Sequence, residues 1–135
     1  MTIVFLVAVI VLGLAVLMLI GIFGKKRPYL IHREYFHQKW SELLEGVKTP
    51  EGMVLAVIDG DKLLDEALRK RHFKGKNMGE RLVSAQRELS DNDAAWYAHK
   101  LRNRLVHEPG VKLKKREAQA ALTGFKQGLR DLGAL

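Results

Sequence analysis

Cysteine is missing altogether from this chain of 135 residues. That excludes disulfides and thiolate metal sites, and it fits a reducing cytoplasm. Charge is missing from the stretch Thr2 to Phe23, which reads TIVFLVAVIVLGLAVLMLIGIF. The alternation of apolar and polar residues that marks a half-buried strand is missing as well, and no internal repeat or low-complexity tract is present. Proline is scarce, with three in all; Pro28, Pro50 and Pro109 each stand where a helical pattern stops or starts. Gly75 and Gly79 lack the following lysine and serine or threonine of a phosphate-binding loop. His32 and His37 are five apart, off helical ligand spacing and without a matching carboxylate set. No metal site and no cofactor is expected.

The uncharged run is the most informative feature present. As a helix its 22 residues span roughly 33 Å at about 1.5 Å per residue, against a bilayer hydrocarbon core of about 30 Å. A single segment in that core must pair its backbone groups internally, which makes it a helix. A cleaved signal peptide has a charged leading region, a shorter apolar core and a small-residue cleavage site. Here the apolar residues come first, and Gly24 leads directly into Lys25-Lys26-Arg27. The expected organisation is a transmembrane anchor over 1–24, a basic juxtamembrane joint over 25–29 and a helical domain over 30–135. A cationic cluster at the end of a span marks its cytoplasmic side. The chain is therefore expected in the plasma membrane, single-pass, N-terminus outside and helical domain inside. Lys25, Lys26 and Arg27 also suit anionic lipid headgroups.

The formal net charge is +8, and every charged side chain follows the anchor. Such a balance favours anionic partners, whether lipid headgroups, RNA or an acidic protein. Beyond Pro28, the residues Tyr29, Phe36, Trp40, Leu43, Leu44 and Val47 recur at helical spacing. Thr49-Pro50-Glu51 opens a second helix that runs to about Arg71, with a cap, a proline in the first turn and an acid near the positive helix end. Gly60 inside it costs about 1 kcal/mol relative to alanine, which points to close packing against another helix. Asp59, Asp61, Asp65 and Glu66 flank its apolar face, as solvated groups or as partners for arginines. A loop over 72–77 precedes a short third helix marked by Met78, Leu82, Val83 and Leu89. Ser90 with Asp93 resembles a capping box for a fourth helix carrying Ala94, Ala98, Leu101 and Leu105. Ala118, Leu122, Phe125, Leu129 and Leu132 alternate by fours and threes in a last helix. The fold class is all-α: one transmembrane helix plus an antiparallel bundle of four to five helices. Trp40 and Trp96 read as core or interface anchors.

Residues 98–108, AHKLRNRLVHE, concentrate ionisable groups on a helix that must also pack. At about 100° per residue, His99, Asn103 and His107 share one stripe, while Arg102 lies about 140° from His107. Those two converge only if the helix loosens near Pro109, which disfavours helical geometry at Glu108, or if a second copy supplies one of them. Arg102-Asn103, three residues and His107 resemble the motif of the HEPN superfamily, small and often dimeric helical bundles, many of them metal-independent ribonucleases. The wider stretches 61–65, 76–82 and 98–108 are similar to a group of uncharacterised membrane-anchored bacterial proteins.

The resemblance implies attack of an RNA 2′-hydroxyl on the adjacent phosphate. His107 would be the general acid or base, Arg102 the phosphate clamp and Asn103 an orienting group, with His99 supporting them from one turn earlier. Lys112, Lys114, Lys115 and Arg116 form the densest late basic run, a solvated helix start or a contact for RNA or lipid phosphates. The leading expectation is a membrane-anchored, non-catalytic module for binding or assembly. The alternative is a metal-independent HEPN-type endoribonuclease at the cytoplasmic membrane face. The partners in view are the bilayer, RNA, a second copy of the chain and an unidentified protein.

Overall fold

The computed structural model describes residues 1–23 and 31–135. Lys25, Lys26, Arg27, Pro28 and Tyr29, and with them the basic joint, lie outside the described residues. The described residues form only helices, turns and loops. They are α1 (Thr2–Phe23), α2 (Arg33–Glu45), a single 3-10 turn (Gly46–Lys48), α3 (Pro50–Lys70), α4 (Met78–Ala85), α5 (Asn92–His107) and α6 (Lys115–Asp131).

α1 is apolar on every side, with no charged residue, and is long enough to cross a membrane. It gives no residue to the core of the remaining helices. That core is built from α2 to α6. α3, α5 and α6 each pack on the other two; α2 lies along α3, and α4 bridges α3 and α5. Phe36, Leu64, Leu68, Leu82, Leu101, Phe125 and Leu129 are almost fully covered. Full burial of one such side chain is worth about 1.5–3 kcal/mol, so the interlocking of α3, α5 and α6 dominates the stability.

Local signals explain the boundaries. Thr49 accepts the Gly52 N–H at 3.0 Å and opens α3 with Pro50 in its first turn. Asn77 does the same for Glu80 in α4, at 2.9 Å, and the Glu80 carboxylate returns a bond to the Lys76 N–H at 2.7 Å. Gly60 sits where α3 meets α6: a Cβ there would lie 2.7 Å from the Phe125 ring. Gly124 performs the equivalent task on α6, where a Cβ would meet the Ala94 carbonyl oxygen at 2.5 Å. The close packing expected of Gly60 is thus present, and Phe125 causes it.

Three expectations are corrected. The third helix stops at Ala85, and Leu89 is buried from the turn beyond it, its N–H bonded to the Ala85 carbonyl at 3.2 Å. Ser90 does not cap α5. Asp91 does, accepting from the Ala94 N–H at 2.9 Å, because the Asp131 carboxylate at the end of α6 takes both the Ser90 hydroxyl and its N–H, each at 2.8 Å. Nor does α5 loosen before its end: it stays helical through His107, and the influence of Pro109 is confined to Glu108, which is extended.

Candidate functional site

The ionisable residues of α5 meet α3 around one acid. Asp61 lies on the stripe Val57, Asp61, Leu64, Leu68, at spacings of four, three and four, and so points inward with the apolar residues. It is 3 % exposed and is the buried charged residue among those described. A buried carboxylate must be paired or hydrogen-bonded. His99 Nδ1 lies 2.8 Å from Asp61 Oδ1, and Arg102 Nε lies 3.3 Å from Asp61 Oδ2.

The bonds around this acid are mutually consistent. If His99 donates from Nδ1 to Asp61, its Nε2 is left as an acceptor, and the Asn103 amide nitrogen stands 3.3 Å away to donate to it. The Asn103 carbonyl oxygen then faces the Arg102 guanidinium and accepts from Nη1 at 2.9 Å. Each group donates where its neighbour accepts. One donor is left over: the Arg102 Nε–H has a charge contact with Asp61 but not the geometry of a hydrogen bond, and it is buried without an acceptor. The Trp96 ring meets His99 edge-on at 6.0 Å between centroids and covers Gly79 of α4. The imidazole is therefore fixed by packing as well as by bonding.

Asp61, His99, Arg102 and Asn103 line one wall of an open cleft of about 450 Å³. Lys62, Asp65, Asn77, Met78 and Gly79 line the rest of it. The Arg81 guanidinium grips Asp65 through two bonds of 2.7 and 3.0 Å, a planar fork matched to a carboxylate. A third bond of 2.7 Å from Arg81 to the Gly75 carbonyl holds the loop before α4 in place.

The expected site residues fall into separate groups. His99, Arg102 and Asn103 come together. His107 does not join them: it is exposed in the last turn of α5, about 140° and 7.5 Å along the helix from Arg102. Lys112, Lys114, Lys115 and Arg116 are exposed in the turn before α6 and its first residues. Their side chains make no ion pair among the described residues, and Glu117 is engaged by the Lys114 backbone N–H at 3.0 Å. A separate polar patch, on the outer faces of α2 and α3, joins Tyr35 to Glu66 at 3.1 Å and both Gln38 and Lys39 to Glu42. Hydrogen bonds from Gln38 and then Lys39 hold the Glu42 carboxyl below its ordinary range. These neighbours lie on two helices, and Tyr35, Lys39, Glu42 and Glu66 line an open groove of about 380 Å³ together with Asp59, Lys62 and Leu63.

Asp61 was legible as a partner for arginines but not as the centre of the cluster. Its place on the apolar stripe of α3 is the signal that singles it out from Asp59, Asp65 and Glu66. Comparison with known proteins returned no matching family model, no curated relative and no solved structure.

Proposed function

We propose that this chain is a membrane-anchored helical module for binding or assembly, carried by α1 and exposed to the cytoplasm. The observation that carries this reading is the engagement of Arg102. Its guanidinium is spent on Asp61 and Asn103, and His107 stands apart from it. The Asp61 cluster then serves to lock α5 against α3 and to shape one wall of the neighbouring cleft. The exposed end of α5, with Val106 and His107, is left as a surface for a partner. The basic run from Lys112 to Arg116 faces anions, of which lipid headgroups are nearest to an anchored domain.

A second reading has its own support. Arg102 is not sealed: a quarter of its side chain is exposed, and His107 is free to meet a substrate. In a dimer, Arg102 of one copy and His107 of the other would meet across one groove, the arrangement that the HEPN-like motif implies for a metal-independent endoribonuclease.

One set of measurements separates the two. Full-length protein, Arg102→Ala and His107→Ala are incubated with varied RNAs in EDTA, and their melting is followed in the same buffer. The module reading expects no cleavage above the His107→Ala control and a melting temperature lowered by several degrees in Arg102→Ala. RNA cleavage by the parent that His107→Ala abolishes, with melting unchanged, would sink the module reading and establish the nuclease.

A further inference from the structure

A second cavity lies against α2, the Gly46–Lys48 turn and α6, and shares no lining residue with the cleft beside Asp61. It holds about 300 Å³, within the size range of small-molecule sites, which are mostly apolar with a few placed polar groups. Its apolar wall is Trp40, Leu44, Val47, Met53 and Leu122. Leu44 is 40 % exposed there, an apolar surface that no part of the bundle covers.

Two further observations indicate what would fill it. The first is charge. Lys115 and Lys126 line the groove and no carboxylate does. Neither lysine has an ion-pair partner among the described residues, and Lys126 is half-buried. They are eleven residues apart on α6, roughly 16 Å and nearly on one line along the helix, with Leu122 between them. The second is an unmet donor. Trp40 is 6 % exposed, and its Nε1–H is covered and has no acceptor. Buried N–H groups are rarely left so. Trp40 itself lines the groove.

We propose that this groove binds a single-chain anionic amphiphile, a medium-chain fatty acid. Its chain lies along Trp40, Leu44, Met53 and Leu122, and its carboxylate is held by Lys126. One turn of a helix about 10 Å across already exceeds the groove's volume of about 300 Å³, whereas one alkyl chain suits it. A small hydrophilic anion would leave the apolar wall uncovered, and a neutral chain would bring no counter-charge to Lys126. The proposal is independent of the role given to the Asp61 cluster.

The test uses the full chain in nanodiscs of phosphatidylcholine, with Trp96→Phe so that Trp40 is the sole tryptophan. Dodecanoate is expected to change Trp40 emission saturably, while dodecanol of the same length is weaker by about tenfold, the worth of one charge-assisted hydrogen bond. Lys126→Glu should weaken dodecanoate to a similar degree, and Leu122→Glu, which sets a carboxylate on the apolar wall and adds no second tryptophan, should abolish the response. A photoactivatable fatty acid on the unmodified chain gives a readout that needs no variant. It should label 40–53 and 118–126, and dodecanoate should compete it away. Equal responses to acid and alcohol, a Lys126→Glu titration matching the parent, or labelling elsewhere would overturn the proposal. So would a Trp40 change produced by phosphatidylglycerol nanodiscs without dodecanoate, which would assign the groove to bilayer lipid.

Discussion

At the scale of single residues, Asp61 has the largest effect. Removing one member of a buried charged pair strands the other, at a cost of about 3–5 kcal/mol. Asp61→Ala strands the His99 Nδ1 position and the Arg102 guanidinium together. A loss of about 3 kcal/mol is therefore expected, read as a lower urea midpoint with an unchanged slope. An unchanged midpoint would mean that the cluster does not lock α5 to α3. Asn103 has a smaller but more specific role, since it both accepts from Arg102 and faces His99. Asn103→Asp keeps the acceptor for Arg102 and replaces the donor facing His99 Nε2 by an acceptor, so it should hold Arg102 while changing the hydrogen bonding of the His99 ring. An NMR shift of the His99 ring signals with those of Arg102 retained would show this. His99, Arg102 and Asn103 were legible from their spacing on α5. The acid they meet lies 38 residues away from His99 in sequence, and a helical wheel of α5 alone cannot reveal a partner on α3.

At the scale of elements, contacts between helices matter more than the helices' own propensities. Gly60→Ala would ordinarily stabilise a helix by about 1 kcal/mol. Here the added methyl meets the Phe125 ring, so a net loss of about 1–3 kcal/mol is expected. Thermal melting with Gly60→Ala in a Phe125→Leu background should recover part of that loss; no recovery would mean that Phe125 is not the obstacle. Ser90→Ala removes both side-chain contacts to Asp131 and should cost about 1–2 kcal/mol. It should leave α5 helical, because Asp91 supplies the cap. The start of α3 was legible because Thr49 and Pro50 act within their own turn. The start of α5 was misplaced by one residue because Ser90 has two suitors, and the stronger one, Asp131, is 41 residues away. The end of α4 was overrun for a similar reason: Leu89 is buried whether or not the helix reaches it, so its apolar character says nothing about where the turn begins.

At the scale of the whole molecule, α1 is long and apolar enough to cross a membrane, while the bundle buries a core of its own. The chain has no cysteine, so a single one introduced at Leu135 or at Thr2 reports which side of the membrane each end occupies. The proposed orientation expects a membrane-impermeant maleimide to label Thr2→Cys in intact cells and Leu135→Cys only after lysis; the opposite pattern would invert the topology. The bundle itself is unevenly held. α3, α5 and α6 are joined by apolar burial, but the edge formed by α4 and the loop before it depends on polar ties: Arg81 to Asp65 and Gly75, and Ser84 to the Lys74 carbonyl. α4 itself buries only Met78, Leu82 and Ala85. Elements with few buried contacts open below the global unfolding free energy. The amide protons of 78–85 should therefore exchange with deuterium well before those of α6, and faster in strong salt. An occupant of the cleft beside Asp61 would slow that exchange, so this edge can report the arrival of a ligand before the ligand's chemistry is known.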